Sequence, residues 1–211
     1  TAIDLSLSSL AYAQHKTNEY KIENIKYFHS DLIDYSKSGK RFDIIEAMGV
    51  LHHTEGPIKN LKKLSNLLVK NGLIRLGLYS TIARRDISNI RKNFAKNISF
   101  EKLTNNQIRS LRHKIIAEHK NDNLSFFSST DFYSISGLKD LIFHNHENTF
   151  NLTQIDHFLQ ALNLEFCGFE SKKIVSLFKS KGFSEDDTLD LKRWHEFEEK
   201  FPNSFFGMYQ F

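Results

Sequence analysis

The stretch Phe42-Asp43-Ile44-Ile45-Glu46-Ala47-Met48-Gly49-Val50-Leu51-His52-His53 runs a buried-strand pattern into a glycine and a histidine pair just ahead of a helix. In an open α/β sheet, ligands sit outside the carboxyl ends of the strands, so residues 46–53 are placed to face one. Downstream, Pro57 suits a first helical turn, and Ile58, Leu61, Leu64, Leu67 and Leu68 recur at three and four residues until Asn71-Gly72. Residues 73–79 then read as the next strand. Upstream, residues 1–5 form a strand already under way at Thr1, Ser6 caps a helix running to about residue 18, and residues 25–29 make a short strand closed by Ser30-Asp31. A polar connection over 35–40 leads back to Phe42. Alternating strands and helices favour a parallel sheet with right-handed crossovers.

Beyond Tyr79 the period turns helical. Helices are predicted over 82–95, 105–119 and 138–144, with a Ser- and Phe-rich loop over 123–133 whose Phe126, Phe127, Phe132 and Tyr133 read as packing over the sheet. Thr153 and Asp156 form a capping box for a helix over 155–162. Residues 164–170 and 207–211 read as strands, an antiparallel edge pair separated by a helix over 189–200. The chain thus divides into a cofactor-binding part at 1–81, a helical insertion at 82–151 and a closing segment at 152–211.

The 211 residues suffice for one domain with an elaboration, and the single cysteine, Cys167, excludes an internal disulfide framework. No apolar run approaches the ~20 residues of a membrane helix, and no charged leader opens the chain, so a cytoplasmic location is expected. Net charge is +4, yet residues 84–120 hold ten basic side chains against three acidic ones. Such a concentration serves an anionic substrate or nucleic acid, or is a solvated helical face; the second reading is favoured.

At strand ends, Asp4 can accept hydrogen bonds from two ribose hydroxyls, or it can assist the helix start beside Ser6. Asp31, with Leu32 and Ile33 beside it, can take an adenine amine or simply form a turn. Tyr12 and Lys16 have the spacing of a short-chain dehydrogenase pair but lie too early in the fold, which leaves a nicotinamide-dependent reductase without its Tyr and Lys. No metal is assigned, because His144 and His146 lack a placed carboxylate or thiolate.

The order Ala2-Ile3-Asp4-Leu5-Ser6, Ser30-Asp31-Leu32, Phe42-Asp43-Ile44-Ile45, Val50-Leu51-His52-His53 and Leu67-Leu68-Val69-Lys70-Asn71-Gly72 resembles a class I S-adenosylmethionine-dependent methyltransferase over most of residues 1–80. Residues 76–80 with Ala83-Arg84-Arg85, and the ending 206–211, resemble a bacterial group often found downstream of tetratricopeptide repeats. The resemblance implies a Rossmann-like sheet and S-adenosylmethionine as cofactor. It implies Asp4 and Leu5 at the ribose, Ser30, Asp31 and Leu32 at the adenine, and Glu46, Ala47, Met48 and Gly49 along the methionine. His52 and His53 then face the methyl acceptor as candidate catalytic groups, and Tyr79, Arg84 and Arg85 contact a substrate whose carboxylate or phosphate the arginines favour.

The family's first strand and glycine-rich loop are not in these residues. That strand belongs between the family's second and fourth, so the natural polypeptide is expected to extend upstream, and pairing with another copy is left open. The alternative is a non-catalytic interaction module of the same fold, whose basic helices hold an acidic partner or RNA.

Overall fold

The computed structural model describes residues 1–96, 98–122 and 124–211. Two compact units emerge: residues 1–45 with 58–74, and residues 46–57 with 75–211. The helical segment over 82–151 therefore belongs to the same unit as the C-terminal residues.

In the first unit, β1 (Ala2–Asp4) lies parallel to β2 (Tyr27–His29), with Ala2 opposite Tyr27 and Asp4 opposite His29. Between them runs α1 (Leu7–Glu19), whose start is fixed by Ser6 Oγ accepting the Ser9 N–H at 3.1 Å. No α1 residue is buried. The four-residue α2 (Leu32–Tyr35) is capped by Asp31, and Tyr35 is buried beside the rings of Phe28 and Phe42 at 5.5 and 6.5 Å. Helix α3 (Pro57–Ser65) buries Leu61 and Leu64.

Strands β3 (Phe42–Met48) and β4 (Leu68–Leu78) run from one unit into the other. The bonds from Phe42 N–H to the Leu67 carbonyl and from Gly49 N–H to the Gly77 carbonyl advance in one direction along both chains, as parallel pairing requires. Asn71, the fourth residue of β4, adopts a left-handed φ of 62°. Gly72 follows because a Cβ there would stand 3.0 Å from the Asp43 carbonyl.

A single continuous sheet is the sequence expectation; instead, β1–β2 and β3–β4–β5 are separate sheets among the described residues. The strand expected between β1 and β3 is not among these 211 residues, and Ile44 on β3 and Leu73 on β4 stay 62% and 57% exposed. These strands have the apolar composition of buried positions without the burial.

In the second unit, β5 (Tyr209–Gln210) pairs antiparallel with the end of β4, Gly77 opposite Gln210 and Leu78 opposite Tyr209. Leu76 and Phe211 exchange two further bonds, of 2.7 and 3.1 Å. Helices α4 (Arg85–Ala95), α5 (Asn105–His119), α6 (Thr130–Tyr133) and α7 (Ile135–Leu141) gather Ile87, Ile108, Ile115, Phe126, Phe132 and Phe143 into one apolar core. The Ser- and Phe-rich loop is thus largely helical packing, although Tyr133 is exposed and Asn123, its first residue, lies outside the described residues. Helix α7 starts three residues before the predicted position because Ser134 Oγ accepts the Gly137 N–H at 2.9 Å.

The capping box of α8 (Leu152–Ala161) is formed by Asn151 and Gln154, not by Thr153 and Asp156. The earlier pair satisfies the first free N–H groups, so the helix begins one turn sooner. Residues 164–170 form no strand; one bond, from Glu170 N–H to the Gln210 carbonyl at 3.0 Å, ties them to β5. The sequence reading also passes over α9 (Lys172–Ser180), whose signal is Ser171 accepting the Ile174 N–H. Helix α10 (Leu191–Lys200) carries Trp194, fully buried and stacked on Phe178 at 3.8 Å.

Glu198 on α10 is buried and accepts from the hydroxyls of Ser80 and Tyr209. Burial raises its pKa above the usual glutamate range, more than those two donors lower it. The folded chain therefore holds this proton to higher pH than the unfolded chain does, so stability is larger at low pH and declines as pH rises between the two pKa values. Urea unfolding of Glu198→Gln across that window is expected to lose this decline. An unchanged pH slope would show that Glu198 is not its source.

Candidate functional site

Two groups of residues carry the predicted site. The first lies at the tips of β1 and β2. Parallel pairing of Asp4 with His29 brings Asp4 and Asp31 to neighbouring strand ends, and Ser30 N–H donates to the Asp4 carbonyl at 3.3 Å. Asp4 Oδ1 accepts from Ser6 N–H at 2.7 Å and Asp31 Oδ1 from Ile33 N–H at 2.6 Å, so each carboxylate also serves its own helix start. Neither has an ion-pair partner among the described residues. Leu5 is exposed, with its carbonyl accepting from His29 Nε2 at 3.0 Å, while Leu32 is half-buried.

The second group surrounds the ends of β3 and β4. Glu46 pairs with Arg75 at 3.2 Å, and Arg75 also reaches Glu170, an exposed network that raises the arginine's pKa and lowers that of Glu170. Ala47 is buried and Met48 half-buried. Gly49 holds a φ of 72° while donating to Gly77, and a Cβ on Gly77 would come 2.9 Å from the Gly49 nitrogen. Glycine at both positions is what lets the two strand ends approach.

The short turn Leu51–His53 follows. His52 is fully buried with its ring stacked on Tyr79 at 3.7 Å. The Arg84 guanidinium lies 3.6 Å from the same tyrosine ring. Two groups that close to one centroid occupy opposite faces, so Tyr79 is sandwiched. Burial, then the neighbouring His53 and the Arg84 guanidinium, push the His52 pKa down to about 3. His52 is therefore neutral and sealed from solvent at physiological pH.

Arg84 is also buried. Its Nε and one terminal nitrogen donate to the two oxygens of Glu147 at 3.1 and 2.8 Å, and that same nitrogen reaches the Leu141 carbonyl at 2.8 Å. Both side chains are 3% exposed, so this guanidinium is fully compensated within the protein, whereas Arg85 points outward with Asp86 at 3.7 Å. Arg91 donates to the carbonyls of Ile142 and His144 at 2.5 and 2.7 Å. Two arginines thus hold the segment over 141–147. Asn148 closes the other side: its N–H and Nδ2 donate to the His52 carbonyl at 2.8 and 3.1 Å, and Nδ2 also reaches the Thr54 carbonyl at 3.0 Å.

The result brings His53, Asp140 and His144 together, with one potential ligand atom from each within 4.8 Å of the others. The sequence reading found no carboxylate to accompany His144; it is Asp140, one helical turn earlier, and the second histidine comes from the far-off turn after β3. Only the i, i+4 spacing of Asp140 and His144 was visible in the sequence. One separate cavity of about 200 Å³, lined by Phe169, Ile174, Phe205 and Met208 among others, contains no titratable side chain.

Residues 1–74 match the family described as a methyltransferase domain. An uncharacterised protein of Synechococcus sp. is 23% identical over 206 residues, covering 93% of this chain and 49% of that protein. The chain thus spans about half the length of this curated relative. Among solved structures, PKMT2 from Rickettsia typhi superposes with a TM-score of 0.65 at 17% identity, over 95% of this chain and 41% of that one. Its complex with AdoHcy gives 0.63 at 18% identity, over 94% and 42%. The chain shares its α/β fold with these structures. No helix among the described residues is long and apolar enough to cross a membrane.

Asn148→Ala removes two side-chain hydrogen bonds to the histidine turn and leaves the backbone bond from residue 148 to the His52 carbonyl. A loss of about 1–3 kcal/mol is expected in chemical unfolding, with faster amide exchange confined to residues 50–54. Global destabilisation without that local change would place the role of Asn148 elsewhere.

Proposed function

We propose that the chain is the catalytic fold of an S-adenosylmethionine-dependent methyltransferase. The observation that carries this reading is the parallel register of β1 and β2, which sets Asp4 and Asp31 at adjacent carboxyl ends. The residues fit a nucleoside: two carboxylates without ion-pair partners among the described residues, exposed Leu5, and half-buried Leu32 and Ile33 to cover a ring. Asp4 would hold the ribose hydroxyls and Asp31 the adenine amine, each hydrogen bond strengthened by the carboxylate's charge. Bound there, the cofactor supplies an electrophilic methyl group on a sulfonium.

Transfer of that methyl is an in-line displacement whose rate rests largely on positioning. His52 is too deeply buried to touch an acceptor and serves as packing for Tyr79. His53, whose Nδ1 donates to the His146 carbonyl at 2.9 Å, presents Nε2 on the acceptor side. With Arg84 committed to Glu147, the exposed guanidinium left for an anionic acceptor is Arg85. The AdoHcy complex of the Rickettsia typhi protein supports the cofactor class.

Titration calorimetry with S-adenosylhomocysteine is the test, on the natural polypeptide that carries these residues. Saturable binding is expected, weakened by Asp4→Ala about tenfold or more, as loss of a charged hydrogen bond of ~1.5–3 kcal/mol requires. No binding by that polypeptide overturns the reading.

A further inference from the structure

We propose that His53, Asp140 and His144 form a site for a divalent transition metal of the zinc class. His53 Nε2 stands 3.8 Å from Asp140 Oδ1, too far for a hydrogen bond, and the His53 and His144 rings lie 3.8 Å apart. Both imidazoles send Nδ1 to one acceptor, the His146 carbonyl, at 2.9 and 2.7 Å. A carbonyl oxygen only accepts, so both histidines carry a proton on Nδ1, and in the neutral form of each ring the lone pair is on Nε2. The 3.3 Å approach of His146 N–H to His144 Nδ1 is the longer contact and does not reverse this assignment. A backbone carbonyl fixing the tautomer of a ligand histidine is the usual outer arrangement of a metal site, here applied to two histidines by one atom.

The histidines are held in place before any ion arrives. Arg91 bonds the His144 carbonyl, and Asn148 bonds the turn that carries His53. The present donor spacing exceeds the ~3.4 Å edge of a tetrahedral site with ~2.0–2.1 Å bonds. Asp140, 62% exposed and free to change rotamer, is the member that would close in. Two neutral imidazoles and one carboxylate suit zinc, cobalt or nickel and not calcium or magnesium, which take oxygen ligands. Three protein donors leave one position open to water or to an oxygen, nitrogen or sulfur of a small molecule. The inference is independent of the cofactor assigned above, because metal binding is measured without it.

Cobalt(II) titration of the chelator-stripped protein, followed by visible absorption and by displacement with zinc(II), tests it. One equivalent of bound cobalt with ligand-field bands is expected, lost on adding zinc. Asp140→Asn and His144→Ala should each weaken binding at least about tenfold. His146→Ala should leave it unchanged, since only that residue's backbone takes part. Asp140→Asn changes an exposed side chain at nearly constant shape, so matching circular dichroism keeps the test valid even if His144→Ala fails to fold. Absence of saturable binding, binding indifferent to Asp140→Asn, or binding lost with His146→Ala would each overturn the proposal.

Discussion

The arrangement around the candidate acceptor site depends on one buried ion pair, Arg84 with Glu147. Taking two charges out of water costs several kcal/mol each, and their attraction offsets this only with good geometry and no unmet hydrogen bonds. Both conditions hold: two parallel N–H···O bonds, a further bond to the Leu141 carbonyl and an aromatic face beneath the guanidinium. Arginine is the residue for this position, because a planar fork can grip a carboxylate and lie on a ring at once. The pair fixes the segment leaving α7, and that segment supplies His144 and the His146 carbonyl that orients both histidines, beside Asp140 at the end of α7.

From this constraint the chemistry near β4 follows. Tyr79 is held between Arg84 and His52, and a protonated His52 would place two cations against one ring in a dry environment. Its neutrality is the electrostatic consequence, and the site is left with His53 as its accessible imidazole. On the other side of β4's end, Ser80 and Tyr209 satisfy the buried Glu198. Adjacent residues of one strand end, Tyr79 and Ser80, thereby tie the histidine turn and the C-terminal strand to a common frame.

Much of the fold was legible in the residues. The Ser6 cap, the helix over Asn105–His119 and the strand over Phe42–Met48 follow from local chemistry and periodicity, and the structure has them where the sequence puts them. Helix starts were misplaced where two plausible caps competed, as at Asn151 and Thr153, because the choice is made by packing of the first turn. Residues 164–170 have strand composition but gain only one ladder bond, since β4 is the partner that β5 takes. The site was less legible. Asp4 and Asp31 could be paired from strand order alone, but the burial of Arg84 required knowing that Glu147, 63 residues on, comes to meet it. Counting Arg84 among free basic groups therefore overstated the positive patch over 84–120, and the union of His53 with Asp140 and His144 depends on the same long-range closure.

The most direct test is a double-mutant cycle on Arg84 and Glu147, with Arg84→Met, Glu147→Gln and the pair together followed by chemical unfolding. A coupling of about 3 kcal/mol or more is expected, each single variant being costly because Arg84 loses its carboxylate or Glu147 keeps only Arg91 at 3.6 Å, and the double variant recovering much of the loss. Additive losses with a coupling below about 1 kcal/mol, the value for exposed pairs, would contradict a structure organised around this contact.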